Sequence, residues 1–177
     1  TASSMGNAEA QFNLGNMHQY GQGVKEDYKA AMGYYLKGAE GNSAPAKFYV
    51  GLMYQDGKGV EINETTAVEW YRRAAAQGHS SAQFNLGIYY EHAKGGLPQD
   101  HAQAVDWYKK AAATGLVEAQ NSWGDLSYSL DKRSAVASVR VTGMDLQYLP
   151  TRLRNDRDVV TTAVSASKPG SGSALQF

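Results

Sequence analysis

The chain contains no cysteine. Within it there is therefore no disulfide framework, no cysteine nucleophile and no thiolate metal site. A net charge is also missing, because 17 Lys and Arg balance 17 Asp and Glu. A dedicated nucleic-acid binder carries a basic surplus, so this balance argues against that class. No apolar run approaches the roughly 20 residues that span a bilayer. Histidine is scarce, with 4 in 177 residues, and no HExxH motif is formed. The opening TASSMG has neither an initiator Met nor a signal-like apolar stretch. A processed or partial chain is expected from this.

What remains is apolar enough for a core, at 42%. It is also internally repetitive. AQFNLG stands at 10–15 and again at 82–87, with AKFYVG at 46–51 and AQNSWG at 119–124 in register with it. A Gly-rich turn follows three of these segments, as YGQGV at 20–24, DGKGV at 56–60 and KGGLP at 94–98. An aromatic pair then follows each turn: Tyr34 and Tyr35, Trp70 and Tyr71, Trp107 and Tyr108. Self-similarity at a period near 36 residues is the signature of a helical-pair array.

Each unit reads as two helices. Ala67, Trp70, Tyr71, Ala74 and Ala75 fall on one helical face, and the same spacing recurs from Ala31 and from Ala104. Asp27, Asn63 and Asp100 stand where N-caps belong, and Asp100 with Gln103 makes a capping-box-like pair. Gly6, Asn42, Gly78 and Gly115 share one slot and are expected to stop the second helices in a left-handed conformation. Gly15, Gly51, Gly87 and Gly124 instead fall inside first helices, at a cost of up to ~1 kcal/mol each relative to Ala. Close approach of a partner helix, with Ala and Gly on one side and large aromatics on the other, would offset that cost. Ala10, Leu14 and Gly15 are accordingly expected to pack. Residues 3–6 align with the end of a second helix, so at least part of a further unit is expected upstream.

The stretches AVEWYRRAAAQGHSSAQFNLGIYYEHAKGG and AVDWYKKAAATGLVEAQ resemble Sel1-like repeats, close relatives of the tetratricopeptide repeat. The resemblance covers roughly residues 2–130. It implies an all-α, right-handed superhelical solenoid of helix-turn-helix repeats, and a role as a scaffold or adaptor in multiprotein complexes. A cysteine-rich bacterial subset of that family is excluded here. After Gly124 the pattern fades, and the Gly-rich turn is missing from 125–133. The stretch LQYLPTRLRNDRDVVTTAV resembles the domain of unknown function 4116, which implies no activity. Residues 131–177 are therefore expected to form a separate small module of two short helix pairs. Asn155 or Asp156 is expected to cap the helix through Val159 and Val164. The two parts differ in charge: 10 Lys and Arg against 13 Asp and Glu give −3 for 1–130, and 7 against 4 give +3 for 131–177.

Catalytic chemistry has no obvious carrier. His18 occupies a slot held elsewhere by Tyr54 and Tyr90 and reads as a packing residue, and His79 reads as a loop residue. His92 and His101 flank the third turn without a third metal ligand. GQGVKEDYK and DGKGVEINE lack the GxxxxGK[ST] pattern, so they are repeat turns and not phosphate loops. Glu69 and Asp106 face outward beside Arg72, Arg73, Lys109 and Lys110, where helical pairing is expected. No general acid–base pair or triad stands out, so no enzyme, cofactor or metal is expected.

By analogy with tetratricopeptide repeats, first helices line a concave face. The positions facing it are Phe12, Asn16 and Gln19; Phe48, Leu52 and Gln55; Phe84, Ile88 and Glu91; and Asn121, Asp125 and Tyr128. The three Phe have two readings, packing between units or an aromatic ladder for a partner protein. Arg152, Arg154 and Arg157 form the densest basic cluster, either a solvated face or a patch for an acidic partner or anionic lipid surface. The expected function is protein binding. The alternative is a structural subunit of a large assembly, membrane-bound or not, held through its loops and termini.

Overall fold

The computed structural model describes residues 2–142 and 149–166. All regular structure among the described residues is helical. Six helices follow the expected pairs: α1 (Ala2–Tyr20) with α2 (Tyr28–Glu40), α3 (Ala44–Asp56) with α4 (Glu64–Ala75), and α5 (Ser80–Glu91) with α6 (His101–Ala112). Then come α7 (Val117–Thr142), α8 (Thr151–Arg154) and α9 (Arg157–Ala166). The chain divides into two compact units, Thr1–Trp123 and Gly124–Phe177.

The helix starts are set by short polar side chains. Asp27 Oδ1 accepts from the Ala30 amide at 2.9 Å, Asn63 Oδ1 from Thr66 at 3.0 Å, and Asp100 Oδ1 from Gln103 at 3.0 Å. The stops need a backbone that only glycine or asparagine adopts cheaply. Asn42, Gly78 and Gly115 have φ of 70°, 82° and 90°.

Inside the first unit, small residues of one helix receive large residues of the next. A Cβ on Gly15 would lie 2.4 Å from the Tyr35 ring, one on Gly51 2.6 Å from Tyr71, and one on Gly87 2.4 Å from Tyr108. The three tyrosines are at most 1% exposed. The expected aromatic-on-glycine contact is therefore formed, and it uses the Tyr of each aromatic pair rather than its neighbour. Trp70 and Trp107 lie half-buried beside it. Successive pairs join through the aligned alanines, with Ala46, Ala82 and Ala119 fully buried. Gln83 and Gln120 add a hydrogen bond each, to the carbonyls of Ala75 and Ala112.

Three local expectations fail. Ala10 is exposed although its counterparts are buried. Ala46 packs within 2.9 Å of the Cβ position of Gly38 on the preceding second helix, and Ala10 has no such helix beside it among the described residues. Gly6 lies within α1 and does not stop a helix. The segment at 134–139, expected in a separate short helix, is the last part of α7, which runs through residue 130 unbroken. Without a Gly-rich turn at 125–133, nothing ends the helix. Residues 144–148 and 173–177, expected in the paired helices of the terminal module, lie outside the described residues.

The second unit has its own small core of Ala135, Leu153 and Val159, with Tyr128, Val136 and Leu149 against it. Asp156, not Asn155, caps α9: its Oδ1 accepts from the amides of Asp158 at 2.9 Å and Val159 at 3.2 Å. Val159 is fully buried, whereas Val164 is 56% exposed.

Candidate binding surface

The surface is built on the first helices α1, α3 and α5. Its polar floor is made by the same tyrosines that cover the glycines. Tyr35 places its hydroxyl 2.8 Å from Asn16 Oδ1 and 2.7 Å from Gln19 Oε1, one proton serving one acceptor at a time. The Tyr71 hydroxyl donates to Gln55 Oε1 at 2.7 Å, and Tyr89 donates to the same oxygen at 3.2 Å. The Tyr108 hydroxyl donates to Glu91 Oε2 at 2.6 Å. Burial holds all three repeated tyrosines well above the usual phenol range, and the Glu91 hydrogen bond adds to this at Tyr108. Tyr89 is pushed up to about 12, by burial first and then by the charges of Glu64 and Asp56. The phenols therefore stay neutral donors at any physiological pH.

This rung pattern was not visible in sequence. Gln19, Gln55 and Glu91 count as groove-facing positions, yet each is an internal acceptor. Their common signal is a polar acceptor 4 residues after the aligned glycine, matched to a Tyr on the following helix.

The three Phe are half-buried; Phe12 and Phe48 each contact more than one ring, and Phe84 contacts one. Phe12 lies 5.9 Å from Tyr35 and 5.4 Å from Tyr49. Phe48 lies 5.7 Å from Tyr71 and stacks on His79 at 4.6 Å. Phe84 lies 5.4 Å from Tyr108. Leu52 and Ile88 are half-buried between these rungs, and Leu52 packs on the central core cluster. Ile88 lines a polar cavity of about 260 Å³ with Gln55, Asp56, Glu64, Asn85 and Lys94. Asn121 and Asp125 are exposed, one in each compact unit.

Two histidines are structural. His18 stacks on Tyr34 at 5.2 Å, as its slot implied. His79 does more than occupy a loop: its Nδ1 accepts from the Ala82 amide at 3.3 Å, capping α5, while its ring covers Phe48. Burial lowers its pKa. Among the described residues no group of three or more His, Cys, Asp or Glu could hold a metal ion.

Cations on the second helices do not pair with Glu69 or Asp106 as expected. Arg73 lies over the Trp70 ring at 4.6 Å and Lys110 over Trp107 at 4.0 Å, while Arg72 donates to the Tyr90 hydroxyl at 3.2 Å. An exposed ion pair is worth little in water, and the rings are already ordered beside them. In the second unit Arg152 lies 4.0 Å over the Tyr128 ring and Arg154 donates to Thr151 Oγ1 at 2.8 Å. Arg157 is exposed at the start of α9. Tyr128 donates to Asp156, and Lys132 reaches Asp156 at 3.1 Å and Asp158 at 2.7 Å. These partners, Tyr128 first, hold the Asp156 carboxyl well below the usual carboxylate range.

The Sel1 repeat profile matches residues 8–43, 44–79 and 80–116. Each stretch begins on a first helix and ends one residue after the stop slot. Among solved structures, the chain is similar to a Sel1 repeat protein from Oxalobacter formigenes, at 36% identity and a TM-score of 0.64, over 67% of this chain and 48% of that one. It is similar to c5321, a protective antigen present in uropathogenic Escherichia coli strains that displays an SLR fold. That match has 26% identity and a TM-score of 0.64, over 93% of this chain and 39% of the other. Cysteine-rich protein B of Helicobacter pylori shares the fold, at 22% identity and a TM-score of 0.55, over 68% of this chain and 89% of that one. The chain thus spans less than half the length of the first two. No curated protein matches it.

Proposed function

The chain belongs to the Sel1 repeat family, whose fold is generally a non-catalytic interaction fold, and from that premise we propose that it is a scaffold or adaptor that binds protein through its first-helix face. The observation that carries this reading is the half-exposed apolar row of Phe12, Phe48, Leu52, Phe84 and Ile88 on a floor of hydrogen-bonded tyrosines. Such a floor is ordered before a partner arrives, so little side-chain entropy is lost on binding. Asn16 and Asn121 supply polar contacts beside the row, and Asp125 offers a polar group of its own on the second unit. The proposed organisation keeps a repeat array over 1–130 and a terminal helical module over 131–177. The basic residues Arg152, Arg154 and Arg157 on that module serve an acidic partner surface.

A test is affinity capture with the whole chain as bait. Leu52→Ala and Ile88→Ala, which leave the tyrosine floor intact, are expected to lose the proteins that the wild type retains. Unchanged capture by both would defeat this reading.

A second reading is a structural subunit of a large assembly, held through its loops. One observation favours it: Tyr20 is 54% exposed, Val24 36% and Ile62 69%, all at the turns between paired helices. Lost capture in Ile62→Glu, with Ile88→Ala unaffected, would select it. Ile62 contacts Gly57 within the turn, so the wild-type fold of the variant is checked by circular dichroism.

A further inference from the structure

The three helix-pair junctions differ at one aligned slot. At the second junction His79 caps α5 and lays its ring on Phe48 at 4.6 Å, with 24° between the planes. At the third, Leu116 fills the slot and packs with Phe84 on Ala111, Ala112 and Ala119. At the first, the slot holds Ser43. It caps α3 just as His79 caps α5, its Oγ accepting from the Ala46 amide at 3.3 Å, but it brings no side chain over Phe12. A cavity of about 360 Å³ is left there, bordered by Glu9, Phe12, Asn13, Asn42, Ser43 and Pro45.

We propose that this cavity is a side-chain socket for an arginine of a bound protein. The chain itself shows what such a slot accepts, because the next junction seats a flat nitrogen-bearing ring on the equivalent Phe. Charge selects among flat groups. Glu9 is the one charged residue bordering the cavity, it is exposed, and its carboxylate has no partner among the described residues. The adjacent ammonium of Lys47 is engaged elsewhere, donating to Asn42 Oδ1 at 2.6 Å. A guanidinium is planar, stacks on aromatic faces and forks onto a carboxylate, so it satisfies Phe12 and Glu9 together. A lysine ammonium has no plane to lay on the ring. An apolar aromatic leaves the carboxylate unpaired. At the second junction α4 and α5 stay packed together with the slot filled by His79.

The proposal rests on the protein-binding reading above and names the chemistry of one anchor. Its test uses small probes, so it can fail while partner capture stands. The whole chain is titrated with N-acetyl-arginine amide and followed by amide NMR. Saturable shifts are expected at Asn13, Asn42 and Ser43. N-acetyl-lysine amide should bind about tenfold more weakly, as should the arginine probe to Glu9→Gln. Ser43→His should abolish binding, because it supplies the chain's own ring while keeping the cap. If that variant does not fold, Glu9→Gln carries the test alone. Absence of saturable shifts would overturn the socket. So would N-acetyl-tryptophan amide binding as tightly as the arginine probe, with no change in Glu9→Gln.

Discussion

Gly87 and Gly124 hold the same place in two aligned segments, AQFNLG and AQNSWG, yet their surroundings are opposite. A Cβ on Gly87 would press into the Tyr108 ring at 2.4 Å, while one on Gly124 would meet nothing within 4 Å. The first glycine is surrounded by a helix pair. The second lies in a long helix with no Trp-Tyr helix after it in the sequence. The repeat unit is therefore more than its first-helix motif. A helical glycine is offset only where a tyrosine comes down on it, and the tyrosine in turn is held by an acceptor four residues after the glycine. Where that partner is missing, the motif survives in letters but not in packing. The chain then takes up a different core, centred on Ala135, Leu153 and Val159.

The largest test of this contrast is a pair of alanine substitutions. Gly87→Ala should lose about 2 kcal/mol, because overpacking against a buried ring outweighs the gain in helix propensity. Gly124→Ala has no ring to displace and should gain up to ~1 kcal/mol from propensity alone. Chemical denaturation of the two variants reads both signs. Equal effects would remove the distinction. A smaller effect is expected at a cap. Asn63→Ala takes the acceptor from the Thr66 amide and should cost about 1 kcal/mol, felt in the first unit by hydrogen exchange of α4.

The two units should also answer acid differently. Burial depresses the pKa of His79 from its usual 6.5. The neutral form is thus favoured by folding, so this contribution is complete above pH 6.5 and is lost as pH falls through the lowered value. His79→Asn keeps a capping side chain and should flatten that part of the stability profile. Asp156 in the second unit is depressed from 3.8 by Tyr128, Lys132 and the cap amides. Its contribution is complete above pH 3.8 and drains away only below it. Between pH 6 and pH 4, hydrogen-exchange protection, corrected for the intrinsic slowing of exchange in acid, should therefore fall around α5 and not around α9. The reverse order would contradict both assignments.

Much of the first unit was legible in sequence, because its signals are local and recur. The caps Asp27, Asn63 and Asp100 and the stops Asn42, Gly78 and Gly115 act within a few residues of themselves. The glycines announced a close aromatic partner by recurring where a glycine is costly. What was not legible depends on contacts across the array. Ala10 has the letters of a packing residue, but burial requires a neighbouring helix. Gln55 reads as a free groove position until Tyr71 and Tyr89 are seen to reach it. His79 has loop spacing, and only Phe48 beneath it shows why a ring is there. In the terminal module, a missing turn was visible at 125–133, yet the resulting continuous α7 follows from the sum of helix propensities and not from any one residue.

The central claim is that the first-helix face, and not the turns, meets the partner. Site-specific photo-crosslinking tests it most directly, with a benzophenone amino acid placed at Ile88 in one sample and at Ile62 in another. Both positions carry side chains at the surface or its edge, on the face and in a turn respectively. The account predicts discrete protein adducts from position 88 and none from position 62. Adducts from position 62 alone would contradict it and favour assembly through the turns.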